Sequence, residues 1–522
     1  MKQIVIAGGG SSGWMTAAAL SKHLPDVKIT LIESKTIGII GVGESTLPRI
    51  NHYLNLIGVK DEEWMHKCDA VYKLAIKYSN FLHEGSYYYD VLREFSRPSF
   101  NDDGDKVEIM DFLILNNIDS DIKLTEFSRF FDDTYDMVTD NKYTDSQEVM
   151  NWNPKWDKAY HLDAYKFGLA LKESVAQPNG VIHIEDDIIG TGQNNDGIEY
   201  IQTKNNGRFY ADLFIDCTGF KGLLIGEKLG VKFEKFENFM NDRAWAANIP
   251  YEDKDKELQS YTNCTTLENG WLWNIPIWSR IGTGYVYSSK FVDDETALQE
   301  YKNGLRKVYG SRADEIEARP IKFNSGVREK PWHKNVVSIG LSCGFLEPLN
   351  STGLMMTHDN VIRLVTLLSM KNFEINQIDK DIFNKNCREQ ILSMKDFILT
   401  RYALAKRNDT PYWKHVTQEL HYDNGDSVVF SDFGKIIRDY YYSEDNPNYN
   451  NFNQKVLTGM NYNPMPKIIT EIAVKDGQIN MDRLKQIKEW WVKRKSFLKG
   501  YTDSLPTQNE YLKNRIYNEK HL

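Results

Sequence analysis

The run Gly8-Gly9-Gly10-Ser11-Ser12-Gly13 constrains this chain more than any other segment. It follows an apolar stretch, Lys2 to Ala7, and precedes Trp14 to His23, where Ala17, Ala18, Ala19 and Leu20 suit a helix lying close on a sheet. Lys28 to Glu33 reads as a second apolar strand, so the opening segment predicts a β-α-β unit and a parallel sheet. The glycines satisfy GxGxxG: Gly8 turns the chain, Gly10 lets the backbone approach a pyrophosphate, and Gly13 lets helix and strand touch. Ser11 and Ser12 stand where the first N–H groups of the helix face phosphate. Glu33, twenty residues past Gly13 at the end of the second strand, offers the carboxylate a ribose hydroxyl needs. A ligand-free glycine turn has the same spacing. The strand before it, the helix after it and Glu33 together favour a dinucleotide site.

Two later β-branched runs, Asp212 to Asp216 and Val336 to Ile339, each lead into a glycine-containing turn and are expected to add strands to the same sheet. The nucleotide-binding part is then discontinuous in sequence. From Asp379 the texture changes to helical spacing through Ile391, Met394, Phe397 and Ile398, which predicts a mainly helical C-terminal module. The expected division is 1–375 and 376–522. Asp445 to Pro447 and Asn461 to Pro466 read as loops by their Asn and Pro content.

The net charge of −9 supplies no basic field for a nucleic acid backbone, so a small molecule is the expected partner. No run approaches the roughly 18 apolar residues of a membrane helix, and the N-terminal run is cut short by Gly8. Five scattered cysteines without CxxC spacing point away from a disulfide framework and from a metal site, and a reducing cytoplasm is the expected setting. A homodimer is compatible with all of this.

Asp216-Cys217-Thr218-Gly219 is a second strand-end turn with an acid and a glycine, and it resembles the turn that flavoprotein monooxygenases carry near their adenosine site. Glu347-Pro348-Leu349 ends a further turn, and Asn350-Ser351-Thr352-Gly353 opens an apolar helix that Ser351 or Thr352 can cap. The positive end of that helix suits an anion, although an ordinary capped helix reads the same way.

Trp271-Leu272-Trp273-Asn274-Ile275-Pro276 matches the WxWxIP signature of flavin-dependent halogenases. Two tryptophans on one strand face are by themselves ordinary core. The resemblance extends, however, to Gly41-Val42-Gly43-Glu44-Ser45-Thr46-Leu47-Pro48, Tyr72-Lys73-Leu74-Ala75-Ile76-Lys77-Tyr78, Gly282 to Ser289 and Asp409 to Trp413, and the chain is similar to the tryptophan halogenases over most of its length. The resemblance implies an α/β fold in which an FAD-binding Rossmann-like module of the flavoprotein monooxygenase type is interleaved with a substrate-side β-sheet. It implies reduced FAD supplied in trans by a separate flavin reductase, a flavin hydroperoxide formed with oxygen, and halide (chloride, bromide or iodide) attacking it to give hypohalous acid. A small aromatic substrate then receives the halogen in a separate pocket.

The same resemblance assigns residues. Gly41, Val42, Gly43 and Glu44 correspond to the strap over the flavin; Asp216, Gly219, Gly340 and Leu349 join the glycine turn as cofactor contacts; Thr352 and Gly353 hold the halide. Trp271, Trp273, Pro348 and Asn350 line the wall or substrate pocket. Lys73 corresponds to the family's essential lysine. From the residues alone, Lys73, Ala75 and Lys77 share one face of a strand, and the ordinary reading is a solvated lysine face. A lysine serves this chemistry as an ammonium donating to hypohalous acid or as a neutral amine taking the halogen. Bringing its pKa from about 10.4 to about 7.4 costs roughly 4 kcal/mol, which burial can provide.

One departure stands out. Where the tryptophan halogenases have a second glutamate after Glu-Pro-Leu, this chain has Asn350, and a carboxamide cannot receive a proton from the arenium intermediate. The aromatic and acidic cluster that holds tryptophan is also not evident in Asp445 to Gln454. The expected substrate is therefore an electron-rich indole, phenol or aniline rather than free tryptophan. Glu347 is read as structural. The competing readings are a hydroxylating flavin monooxygenase, against which Lys73 and the two tryptophans stand, and a flavin-binding sensor without turnover.

Overall fold

The computed structural model describes residues 2–35, 43–93, 97–148, 150–420, 455–463 and 465–518. Gly41, Val42 and the Asp445 to Gln454 stretch lie outside them. No helix among the described residues is long and apolar enough to cross a membrane.

The first sheet has six strands in the order Trp332–His333, Val336–Ser338, Leu213–Asp216, Gln3–Ala7, Lys28–Glu33, Ile182–Glu185. All pairs are parallel except the first. Both later runs read from the sequence therefore join the N-terminal strand. Ile4, Val5, Ile6 and Ala7 are all buried, which is why the strand is apolar throughout: a parallel sheet carries helices on both faces. The helix Ser11–His23 covers one face, with Ala17, Ala18 and Ala19 fully buried against it. The carboxyl ends of the central strands meet at Ala7, Glu33 and Asp216, and a crevice there is where open α/β sheets bind ligands.

The second sheet has seven strands: Arg319–Lys322, Arg243–Ile249, Ile281–Tyr287, Gly270–Pro276, Tyr261–Leu267, Ala75–Ser79 and Tyr87–Val91. It is antiparallel apart from the Tyr261–Leu267 and Ala75–Ser79 pair. A third, small sheet pairs Gly43–Ser45 and Val71–Lys73 with the two sides of Ala159–Asp163.

These last two sheets correct the single strand expected from Tyr72 to Tyr78. The chain leaves the small sheet after Lys73 and enters the large one at Ala75, with Leu74 bonded to neither ladder partner: its N–H donates to Ser260 O (2.6 Å) and its carbonyl accepts from Leu92 N (2.9 Å). The break cancels the shared face. Lys73 is fully buried, while Lys77 reaches out across the rings of Tyr87, Tyr89 and Tyr261.

The C-terminal part is helical, as its spacing predicts. Gln377–Leu404 packs on Thr352–Met370, burying Ile391 and Ile398, and Met481–Asp503 closes a separate aromatic cluster of Phe112, Phe127, Phe130 and Phe131 through Leu484, Ile487 and Trp491. All five cysteines are buried and free.

Candidate active site

The glycine turn has the geometry a pyrophosphate requires. Gly8 has φ +105°, and a Cβ there would stand 2.3 Å from Cys217 O; a Cβ on Gly13 would stand 2.0 Å from Gly8 O. At Gly10, by contrast, a Cβ would meet nothing within 4 Å, so this position faces open space while its neighbours are locked. Gly219, at the next strand end, is equally open. Gly340 closes on the turn from the third strand: its Cβ would stand 2.1 Å from Ser12 Oγ. A dinucleotide fits this cradle, and Gly10→Val should lower FAD affinity by at least about tenfold while leaving the circular dichroism spectrum unchanged. Flavin fluorescence titration measures it, and an unchanged affinity would place the cofactor elsewhere.

Other side chains of the expected set are already engaged. Ser11 Oγ donates to Ala164 O (2.9 Å). The Glu33 carboxylate lies over Gly9 with Oε1 2.7 Å from His183 Nε2, and burial raises its pKa. Asp216 differs from the expectation of a ligand-facing acid. It is fully buried, and its carboxylate accepts from Thr218 N and Oγ1 (3.0 and 2.6 Å) and from Leu224 N and Ile225 N (2.7 and 2.8 Å). Asp216 shapes the turn that presents Gly219.

Lys73 sits where the two sheets part. Its Nζ donates to Thr46 O (2.8 Å) and to Ser351 Oγ (3.1 Å), and complete burial lowers its pKa to about 7. A directed chain leads on from it. Ser351 Oγ donates to Ser45 Oγ (3.0 Å), Ser45 Oγ lies 2.8 Å from Thr262 Oγ1, and Thr262 Oγ1 lies 2.8 Å from His161 Nε2. His161 Nδ1 stands 3.1 Å from Pro276 O. A carbonyl only accepts, so Nδ1 carries the proton, Nε2 accepts from Thr262, and Thr262 in turn accepts from Ser45. Burial, then the charge of Lys73, pushes the His161 pKa well down, which keeps the imidazole neutral. Every hydroxyl is thus fixed in one sense, from the lysine outward.

That chain also explains a correction at the helix Thr352–Met370. Neither Ser351 nor Thr352 caps it. Ser351 adopts φ 58° and turns its hydroxyl to Lys73 and Ser45, and Thr352 Oγ1 is buried with no partner among the described residues. The first N–H groups of the helix are left for an anion, and a Cβ on Gly353 would meet nothing within 4 Å.

Trp271 and Trp273 lie on the fully buried strand Gly270–Pro276, ring centroids 6.1 Å apart. Trp273 occupies space vacated by Gly284, where a Cβ would stand 2.1 Å from its ring. Cys264, opposite Trp273 across the strand pair, and Asp90 are the ionisable groups whose fields raise the pKa of Lys73. Glu347 accepts from Tyr402 OH (2.5 Å) and Asn241 Nδ2 (2.7 Å); burial raises its carboxyl to about 7, and its role is internal. Leu349 is buried, with its carbonyl 3.4 Å from Tyr78 OH, whereas Pro348 is exposed. Gly43 lies against the large sheet, 3.1 Å from a Cβ built on Gly282, and Glu44 is pushed up to about 7 by burial.

Asn350 brings a residue that the sequence did not signal. Its Oδ1 accepts from Arg401 Nη1 (3.1 Å), and Arg401 is fully buried. The guanidinium also pairs with Asp90 Oδ2 (3.0 Å) and Tyr88 OH (3.2 Å) and lies over the Tyr78 ring at 4.3 Å. Tyr78 and Tyr88 line a cavity of about 740 Å³ that continues past Tyr87, Arg129 and Tyr135.

The glycine turn thus stands on the parallel sheet, and the buried amine of Lys73 stands where the small sheet and the tryptophan-bearing sheet part. The family model for tryptophan halogenases matches residues 3–467. The chain is 32% identical over 431 residues to a 7-chloro-L-tryptophan 6-halogenase, KtzR, of Kutzneria sp. (strain 744), covering 79% of this chain and 81% of that one. It is 30% identical over 446 residues to the tryptophan 7-halogenase RebH of Lentzea aerocolonigenes, covering 81% and 80%. Among solved structures, that of VirX1 without ligand superposes with a TM-score of 0.92 at 37% identity, covering 99% of this chain and 100% of that one. The tryptophan 6-halogenase SttH of Streptomyces toxytricini superposes with 0.81 at 28%, covering 98% and 99%. This chain belongs to the tryptophan halogenase family. It is an FAD-dependent aromatic halogenase, and use of FAD and halide follows from that membership.

Proposed function

We propose that Lys73 delivers the halogen, within a two-component scheme in which a separate reductase provides reduced FAD, to an electron-rich arene other than free tryptophan. The observation that carries this reading is the buried Nζ of Lys73, held by Thr46 O and Ser351 Oγ with a pKa near 7. Bound in the cradle, reduced FAD with oxygen would supply the oxidation of halide to hypohalous acid. The remaining steps belong to the chain. The first N–H groups of the helix, at Thr352 and Gly353, would hold the halide. Near pH 7 both forms of Lys73 are populated, so it can donate to hypohalous acid as the ammonium or release water from it as the amine and carry the halogen. Trp271 and Trp273, buried on one strand, would form the wall that bars direct oxygen transfer from flavin to the arene.

Asn350 withholds the carboxylate that would stabilise a cationic intermediate. The site then depends on an easily formed electrophile, and iodide and bromide should be used ahead of chloride. Competition among the three halides on indoles, phenols, anilines and tryptophan, with reductase and FAD present, tests the reading as a whole. Efficient chlorination of free tryptophan at a single position would overturn the assignment of Asn350, and hydroxylated product without halide dependence would overturn the scheme.

A further inference from the structure

We infer that the substrate is a phenol taken as its phenolate, with the oxygen anion held by the amide N–H₂ of Asn350 beside the Arg401 guanidinium. The inference rests on the halogenase reading above and names the substrate class of that site.

Asn350 has two faces, one accepting and one donating. A guanidinium has no acceptor, so the atom 3.1 Å from Arg401 Nη1 is Oδ1, and Nδ2 is turned the other way. No described residue accepts from Nδ2. Arg401 is held in place: Asp90, Tyr88 and the Phe397 carbonyl accept from further N–H groups, and the Tyr78 and Phe397 rings lie 4.3 and 4.6 Å from it. The position that carries an acceptor in the tryptophan halogenases is thus locked here as a donor. An indole N–H finds no acceptor in it, and a phenolate oxygen finds one charge-assisted hydrogen bond.

The surrounding charge has the same sign preference. Arg401 and Lys455 both act on the Asp90 carboxylate, and Lys73 adds to them when it is protonated, while burial pushes the Glu347 carboxyl up to about 7. An anion entering past Tyr78 and Tyr88 approaches the Arg401 guanidinium, which lies over the Tyr78 ring and bonds to Tyr88 OH.

The chemistry closes on the missing glutamate. A phenolate ring carbon ortho or para to oxygen attacks the halogen of hypohalous acid; the C–X bond forms, the O–X bond breaks, and hydroxide leaves with the electron pair. The intermediate is a neutral dienone. Hydroxide takes its ring proton, giving water and the halophenolate. No cation forms, so no carboxylate is required, and a glutamate at this position would repel the substrate.

Two measurements decide it. In the first, without flavin, para-nitrophenol is titrated with the full-length protein, the yellow phenolate reporting ionisation. Bound phenol should ionise about one pH unit lower than free phenol. The shift should vanish in Asn350→Leu and reverse in Asn350→Asp, which turns the donor into an acceptor without changing shape. Absence of binding, or an unshifted titration at saturation, overturns the proposal. In the second, with reductase, FAD and bromide, a phenol and its methyl ether are compared, each rate divided by that with free hypobromous acid. The phenol should retain an advantage of about tenfold or more. Equal normalised rates overturn the proposal while leaving the halogenase reading intact. Failure to halogenate even a hypohalous acid trap overturns that reading instead, and the nitrophenol titration then decides the binding claim alone.

Discussion

Lys73→Ala is expected to reduce halogenation by about 10²–10⁴-fold, with free hypohalite scavenged, while oxygen still reoxidises bound flavin at an unchanged rate. Lys77→Ala should have far smaller effect, because Lys77 lies over Tyr87, Tyr89 and Tyr261 on the far side of the Leu74 break. Product mass and flavin absorbance, followed in the same reaction, separate the two steps. Retained product in Lys73→Ala would falsify the delivery role. Arginine keeps a donor but never becomes a neutral nucleophile, so activity surviving in Lys73→Arg would select the hydrogen-bonding route over the amine route. The depressed pKa has a thermodynamic signature as well. Below about pH 7 the folded and unfolded lysines are both protonated, and the cost of burying the charge is fully present. Between about 7 and 10.5 the unfolded chain binds a proton that the folded chain does not, so stability rises with pH by roughly 1.4 kcal/mol per unit. Urea unfolding across this window should show that slope in the wild type minus Lys73→Met difference.

The legible parts of this molecule are those whose signals are local. Gly8, Gly10 and Gly13 fall within six residues, and each shows a distinct steric environment that matches its place in the spacing. The strands ending at Asp216 and Ser338 were readable because burial on both faces makes a parallel strand continuously apolar. Lys73 was picked out by likeness, while its own pattern pointed to a solvated face. Alternation carries that meaning only along an unbroken strand, and nothing in Leu74 announces that the chain changes sheets. The bonds that the Asp216 carboxylate makes were not legible for a related reason. An acid at a strand end suits a ligand or the N-terminus of the following turn equally well, and the backbone N–H groups of Leu224 and Ile225 are what take it.

The hydroxyl chain was out of reach of sequence altogether. Ser45, Lys73, His161, Thr262 and Ser351 come from five separate segments, and apart from Lys73 each alone is an ordinary polar residue. Ser45 and Ser351 did lie inside segments singled out by resemblance, next to the residues that were named. Arg401 left no trace, since a lysine or arginine on a long helix ordinarily marks the solvent face.

Arg401 and Asp90 yield the largest expected effect on stability. Both are buried, their charges meet at 3.0 Å, and no described residue bonds to Asp90 Oδ1. Removing one charge strands the other in a medium that solvates it poorly, so Arg401→Met and Asp90→Leu should each cost about 3–5 kcal/mol. Removing both leaves no stranded charge. The double variant should recover most of the loss, since a packed apolar pair of similar volume is generally no less stable than a buried ion pair. A cycle built on denaturant midpoints therefore has an expected coupling of several kcal/mol, and additive losses would mean that Lys455 or solvent already balances Asp90. The recovered double variant then has a second use. It lacks the guanidinium that orients Asn350, so it should fold and bind FAD normally yet lose its preference for phenol over the methyl ether. Stability and substrate choice separate in one protein, which places Arg401 as a positioning residue acting through Asn350 rather than as part of the fold alone.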